Sequence, residues 1–224
     1  TGISVFPDIV SDIFGNIHLV WVDNTLGNFE ILYSQWDGTN WSEPLNISNT
    51  LSISNHPTIT SDIFGRIHVA WDEQITPQNS EIFYSLRDDT WSPPTNISNT
   101  PGYSSNPDII SDNLGYPHIV WNDQPIPPTN REIFYSKRNE NGWISPVNIS
   151  KNWGDSSYPV IALDSFQYPH VVWRDESFGN LEILYGTWNG TYWSTPITIS
   201  KPPEYSGAPD IVAVGNDLHV IWGV

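Results

Sequence analysis

IHLVW at 17–21 returns as IHVAW at 67–71, PHIVW at 117–121, PHVVW at 169–173 and LHVIW at 218–222. The histidine falls at His18, His68, His118, His170 and His219, at intervals of 50, 50, 52 and 49 residues. A period of that length signals a repeat architecture, so the chain is read as one unit copied along its length. Working outward from the histidine, each unit opens on S-x-x-P, at Ser4, Ser54, Ser104, Ser156 and Ser206. A D-x-x-G turn leads into the histidine segment in the first three units. E-I-x-Y follows at Glu30, Glu81, Glu132 and Glu182, and W-x-x-P closes the unit at Trp41, Trp91, Trp143 and Trp193.

Within a unit, four runs rich in Ile, Val, Tyr and Trp lie between clusters of Gly, Pro, Asn and Asp, which predicts four strands, A to D. SDIFGN (11–16) and DGTN (37–40) are the tight turns from A to B and from C to D. The B-to-C loops, such as ITPQNS (75–80) and PIPPTN (125–130), are longer and proline-rich. No helical period occurs. Four antiparallel strands per repeat of about fifty residues is the pattern of a propeller blade, so the fold class is all-β. A single propeller domain over 1–224 is expected, with units at about 4–53, 54–103, 104–155, 156–205 and a partial 206–224. The fifth unit is expected to hold only strands A and B.

The chain of 224 residues carries 8 basic and 25 acidic residues, a formal charge of −17, with no Cys and no Met. Such acidity argues against nucleic acid and anionic membrane surfaces as partners, because both need a basic face. No apolar run is long enough for a membrane-spanning helix. Lacking an initiator Met and a signal peptide, the chain is expected to start at a processed or trimmed Thr1, and an extracellular or cell-surface setting is the expectation.

This layout resembles the sialidase-like propellers built from BNR repeats, whose Asp-box reads S-x-D-x-G-x-x-W on the turn from C to D. In SQWDGTNW (34–41), Ser34, Gly38 and Trp41 stand at matching spacing, with the acid, Asp37, one place late. SLRDDTW (85–91) is one residue short, and GTWNGTYW (186–193) lacks the serine. The resemblance implies a propeller in which the box holds the turn together. A sialidase of that family would further need three arginines converging on a substrate carboxylate. The five here, Arg66, Arg87, Arg131, Arg138 and Arg174, share no position across three units. No nucleophile, catalytic-metal or phosphate-loop motif is present either, and the expectation is a chain without catalytic activity.

Several residue sets invite a role. The repeated histidine shares a strand face with Val20 and its equivalents, which favours a hydrogen-bonded core position. His56, outside the repeat, has no evident partner. Acids flank each B-to-C loop as Asp23 with Glu30, Glu73 with Glu81, Asp123 with Glu132 and Asp175 with Glu182. Fourfold repetition favours a structural role over a catalytic pair, with Ca²⁺ ligation as the alternative. Sequons occur at Asn40, Asn46, Asn96, Asn148 and Asn189. At this Asn, Ser and Thr content chance accounts for them, and the three N-I-S copies double as turn caps. Loop aromatics such as Trp36, Trp153 and Trp188 allow glycan binding by ring stacking.

The half-unit at the end has three readings: a longer natural chain, a ring that tolerates a thin blade, or an edge completed by another molecule. The edge carrying Leu218, Val220, Trp222 and Val224 has neither Lys nor Pro to blunt it, and an unpaired apolar edge accepts a strand. The functional expectation is a structural or adhesive scaffold that self-assembles or binds other surface proteins. Behind it come a glycan-binding propeller and a sialidase-like glycosidase.

Overall fold

The computed structural model describes residues 2–125, 129–177, 179–201 and 206–223. Among them every regular element is a strand. The first unit is an antiparallel sheet of β1 (Ser4–Ser11), β2 (Ile17–Asp23), β3 (Glu30–Trp36) and β4 (Leu45–Asn46), in that order. The second follows as β5 (Ile53–Ser61), β6 (Ile67–Thr76), β7 (Asn79–Arg87) and β8 (Thr95–Asn96). In the third, β9 (Tyr103–Ser111), β10 (Pro117–Gln124) and β11 (Glu132–Asn139) pair in turn. There β12 (Gly142–Trp143) and β13 (Val147–Asn148) both lie on β11. The fourth comprises β14 (Ser156–Leu163), β15 (Pro169–Asp175), β16 (Glu182–Thr187) and β17 (Ile197–Thr198), and the fifth only β18 (Pro209–Val214) and β19 (Asp217–Trp222). This is a β-propeller of four-stranded blades followed by a two-stranded one.

The outermost strand is shorter than the pattern W-x-x-P-x-N-I-S implies. Trp41 and Trp91 make single bridges, to Trp36 and Arg87, and pairing resumes only at Leu45 and Thr95. Pro44 and Pro94 stand between, and proline offers no N–H to a ladder.

Strand alternation gives each blade two apolar faces, which are buried where another blade lies against them. Val20, Val22 and Tyr33 of the first blade pack against Ile59, Val69 and Trp71 of the second. The same contact recurs with Ile82 and Tyr84 against Ile109 and Trp121, and with Tyr135 against Ile161 and Trp173. Ile59 and Ile109 are each 6% exposed, whereas Ile9, their equivalent on the first blade, is 58% exposed because no blade covers that face. Successive inner strands are also tied by serines, with the Ser61 hydroxyl donating to the Ser11 carbonyl and Ser111 to Ser61, both at 2.9 Å.

The recurring histidine is fixed by a three-residue relay. Asp12 accepts from the Phe14 and Asn16 amides at 2.9 Å, which closes the A-to-B turn. Its other oxygen lies 3.1 Å from His18 Nε2, and His18 Nδ1 lies 2.7 Å from the Tyr33 hydroxyl. Asp62–His68–Tyr84, Asp112–His118–Tyr135 and Asp164–His170–Tyr185 repeat this arrangement. Burial lowers the pKa of His18, His68 and His118 despite the partnering carboxylates, so these rings are neutral at pH 7.

The acids flanking the B-to-C loops are also occupied. Asp23 accepts from the Ser4 hydroxyl, Asp123 from Thr100 and Ser104, and Asp175 from Ser156, Asn152 and the Trp173 indole. Glu73 accepts from the Trp71 indole. Glu30, Glu81 and Glu132 each take a serine hydroxyl of the N-I-S motif, from Ser48, Ser98 and Ser150. Glu182 is buried at the equivalent place. Most of these oxygens receive an O–H or N–H donor, as a structural role requires, and Asp123 Oδ1 is buried without one. Among the described residues no three such side chains converge as metal ligands.

Candidate functional site

The proline of S-x-x-P sits where strand A bulges. Pairing of β1 with β2 slips between Val5 and Asp8, β5 with β6 between Asn55 and Thr58, and β14 with β15 between Ser157 and Val160. The residue before each proline takes a left-handed backbone: Phe6 (φ 51°), His56 (46°), Asn106 (53°) and Tyr158 (53°). A non-glycine residue there stores of order 1–3 kcal/mol of strain, and such strain concentrates where side chains are aimed for use. These four, with Pro7, Pro57, Pro107, Pro159 and Pro209, line one open cavity of about 350 Å³ to which all five blades contribute.

Around this cavity the repeat breaks down. Before the prolines stand Phe, His, Asn and Tyr. After them come Asp8, Thr58, Asp108, Val160 and Asp210, and the residue following the strand-B tryptophan is Val22, Asp72, Asn122 or Arg174. The four residues before the prolines are all different, so the cavity is lined by one individual set of side chains.

The polar groups are arranged as follows. His56 Nδ1 lies 2.7 Å from the buried Asp72 carboxylate, which also accepts the Asn106 amide at 3.2 Å. Burial works against a charged imidazole, but Asp72 outweighs it and the His56 pKa is raised. Burial likewise raises Asp72, so the pair holds a shared proton to higher pH than either group would alone. Asp8 accepts the Ile59 amide at 2.9 Å, and Asp108 accepts the Ile161 amide at 2.8 Å and the Thr58 hydroxyl at 3.3 Å. The two carboxyl groups therefore flank the Thr58–Ile59 segment. Burial, reinforced by the Asp8 carboxylate, pushes the Asp108 pKa up to about 7, against the pull of its hydrogen bonds. Phe6 packs on His56 with centroids 4.7 Å apart, and Arg174 covers the Tyr158 ring at 4.7 Å. Phe6 and Tyr158 keep exposed faces at the rim.

None of these residues but His56 and Arg174 was singled out from the sequence, and His56 there lacked the partner that Asp72 supplies. The available signal was the set of positions at which an otherwise regular repeat diverges. The other predicted sites lie elsewhere. Asn40 and Asn189 are exposed on C-to-D turns, while Asn46, Asn96 and Asn148 accept the amides of Asn49, Asn99 and Lys151 at the D-to-A turns. Leu218, Val220 and Trp222 turn inward onto the fourth blade, and the outward side chains of the edge are His219 and Ile221. Val224 lies outside the described residues.

No protein-family model matches this chain, and no curated protein matches it by sequence. Solved structures do resemble it. The alpha-L-arabinanase of Penicillium chrysogenum is 14% identical with a TM-score of 0.70, over 97% of this chain and 74% of that one. The intramolecular trans-sialidase of Ruminococcus gnavus is 9% identical with a TM-score of 0.67, over 94% and 74%. An ulvan lyase of polysaccharide lyase family PL25 is 15% identical with a TM-score of 0.67, over 92% of this chain and 61% of that one. A Dyadobacter fermentans protein of unknown function is similar to the same degree, with 12% identity and a TM-score of 0.69 over 94% and 72%. At these identities the likeness shows the fold: a sialidase-like propeller.

The neighbours overturn the expectation of a chain without catalytic activity, since most are enzymes acting on carbohydrates. The physical reason is that the exclusion rested on repeated residues and linear motifs. The cavity's lining comes from all five blades, and residues so far apart in the chain form neither a repeat nor a local motif.

Proposed function

We propose that this protein is a carbohydrate-active propeller whose axial cavity binds a neutral glycan and hydrolyses a glycosidic bond. One observation carries the reading: three carboxyl groups, Asp8, Asp72 and Asp108, stand with His56 and two exposed aromatic rings around a cavity to which every blade contributes a different side chain. Phe6 and Tyr158 offer faces on which a sugar ring stacks. The cavity holds no free arginine, because Arg174 lies over Tyr158 and bonds Ser157, so an uncharged sugar suits it better than an acidic one. Asp108, with a pKa near 7, retains a proton to give to the leaving-group oxygen as the bond breaks. Asp8 is the second carboxyl group, which takes a proton from the attacking water; two sugar fragments leave, and loss of the Asp8 proton to solvent with reprotonation of Asp108 from it restores the pair.

The test is release of reducing ends from neutral arabino- and galacto-oligosaccharides. Asp108→Asn, which keeps size and loses the proton, is expected to lower kcat by about a thousandfold. Equal turnover in wild type and variant, or sugar binding without any turnover, would sink the hydrolytic reading.

A second reading, self-assembly, is favoured by the two uncovered blade faces. Ile9 on the first blade and Val212 and Ile221 on the last are 58%, 55% and 70% exposed. In register they are the two sides of the contact that joins every pair of adjacent blades. We propose head-to-tail stacking of copies through these faces, a heterologous contact.

A further inference from the structure

We infer that a second ligand site lies between the third and fourth blades, sharing no lining residue with the axial cavity, and that it takes a sugar ring bearing a carboxylate. It is a cavity of about 420 Å³, with walls that include Tyr135, Lys137, Tyr168, Trp188 and Trp193.

Comparison with the other junctions shows how it arises. Between the first two blades, Arg87 lies over the Tyr33 ring at 5.6 Å, and between the next two Arg138 approaches Tyr84. These arginines occupy one repeat position, opposite Trp91 and Trp143 in the ladder. At the third junction that position is Trp188, opposite Trp193. The tyrosine beneath is Tyr135, edge-on to Trp193 at 4.9 Å. The arginine that caps the tyrosine elsewhere is thus replaced by an indole, and the space above Tyr135 is open. Trp188 and Trp193 meet at 58° with centroids 6.1 Å apart, forming an aromatic corner.

Two further departures from the repeat converge on the same cavity. Position 167 is glycine in the first three blades, Gly15, Gly65 and Gly115, each with positive φ. Here Gln167 adopts φ 65°, a strained choice for a side-chain-bearing residue. Its amide is tied to the Asn113 N–H and the Asp164 carbonyl, so it builds the wall. Across from His118 stands Lys137, where the first two blades have Gln35 and Leu86. Lys137 makes no ion pair among the described residues. Nearby, His118 Nε2 stands 3.5 Å from Asp112, a longer contact than the 3.1 and 3.3 Å of the first two blades.

Flat indole faces complement the C–H face of a sugar ring, and an unpaired ammonium in an aromatic recess calls for an anionic group. A uronic acid residue supplies both. The axial cavity, by contrast, offers carboxyl groups.

Calorimetry on the full chain tests this, with triglucuronate and trigalacturonate as probes and cellotriose and galactotriose as uncharged controls. Saturable binding of a uronate trimer is expected. Trp188→Ala should weaken it at least about tenfold, and Lys137→Met about tenfold, to the level of the neutral trimers. Lys137→Met keeps the aliphatic stem packed, so it remains informative if the tryptophan variant misfolds. Trp36→Ala, the equivalent of Trp188 on the first blade, should bind as wild type does. The inference is overturned by the absence of saturable uronate binding, by unchanged affinity in Lys137→Met, or by neutral trimers binding as tightly as uronates.

Discussion

His56 shows how one residue departs from its repeat and acquires a role. Its equivalents are Phe6, Asn106 and Tyr158, and it alone faces a buried carboxylate, Asp72. Because its pKa is raised in the folded state, the pair contributes stability fully below the ordinary value of 6.5. That contribution disappears as the pH rises through the raised value. His56→Gln is therefore expected to lower Tm by about 2–4 °C at pH 6 and to have little effect at pH 9, as read by thermal melts at both. A constant Tm difference across that range would mean that the imidazole is held neutral. The histidine was visible in the sequence as the one outside the repeat. Its partner was not, because Asp72 follows the strand-B tryptophan sixteen residues later and meets it only across the β5–β6 pairing.

The A-to-B turn is the element on which the repeat depends. Asp62 accepts the Phe64 and Arg66 amides at 2.9 Å and the Arg66 guanidinium at 2.6 Å, and it approaches His68 at 3.3 Å. Removing it leaves amide donors and a buried imidazole without partners, so Asp62→Ala should cost about 2–4 kcal/mol in urea unfolding, with Asp62→Asn recovering part of it. A loss below about 0.5 kcal/mol would show that water replaces the carboxylate at no expense. This element was legible, since D-x-x-G before an alternating strand states a turn and its direction. The outer strand was legible only in part. Its tryptophan and its N-I-S end pair with strand C as anticipated, but the proline between them interrupts the ladder and reduces it to two residues.

At the scale of the molecule, adjacent blades bury their facing sides on one another, whereas Ile9 on the first blade and Val212 and Ile221 on the last are exposed. Under head-to-tail stacking, light scattering on a sizing column should give masses rising with concentration, and Val212→Lys or Ile9→Lys should return the profile to a single 25.3 kDa species. A wild-type profile that stays at that mass at every concentration would remove stacking. The sequence alone determined the architecture, because the alternation of apolar residues, the turn chemistry and the fifty-residue period are all local and repeat in every blade. It also foretold the hydrogen-bonded histidines of the first four blades, since their strand face followed from alternation, whereas His219 of the fifth is exposed. Only the tertiary structure decided which separate residues meet around the two cavities. The axial carboxyl groups stand 36 to 100 positions apart and Tyr135 and Trp188 about fifty, and their proximity comes from the stacking of blades, a distance that no local pattern encodes.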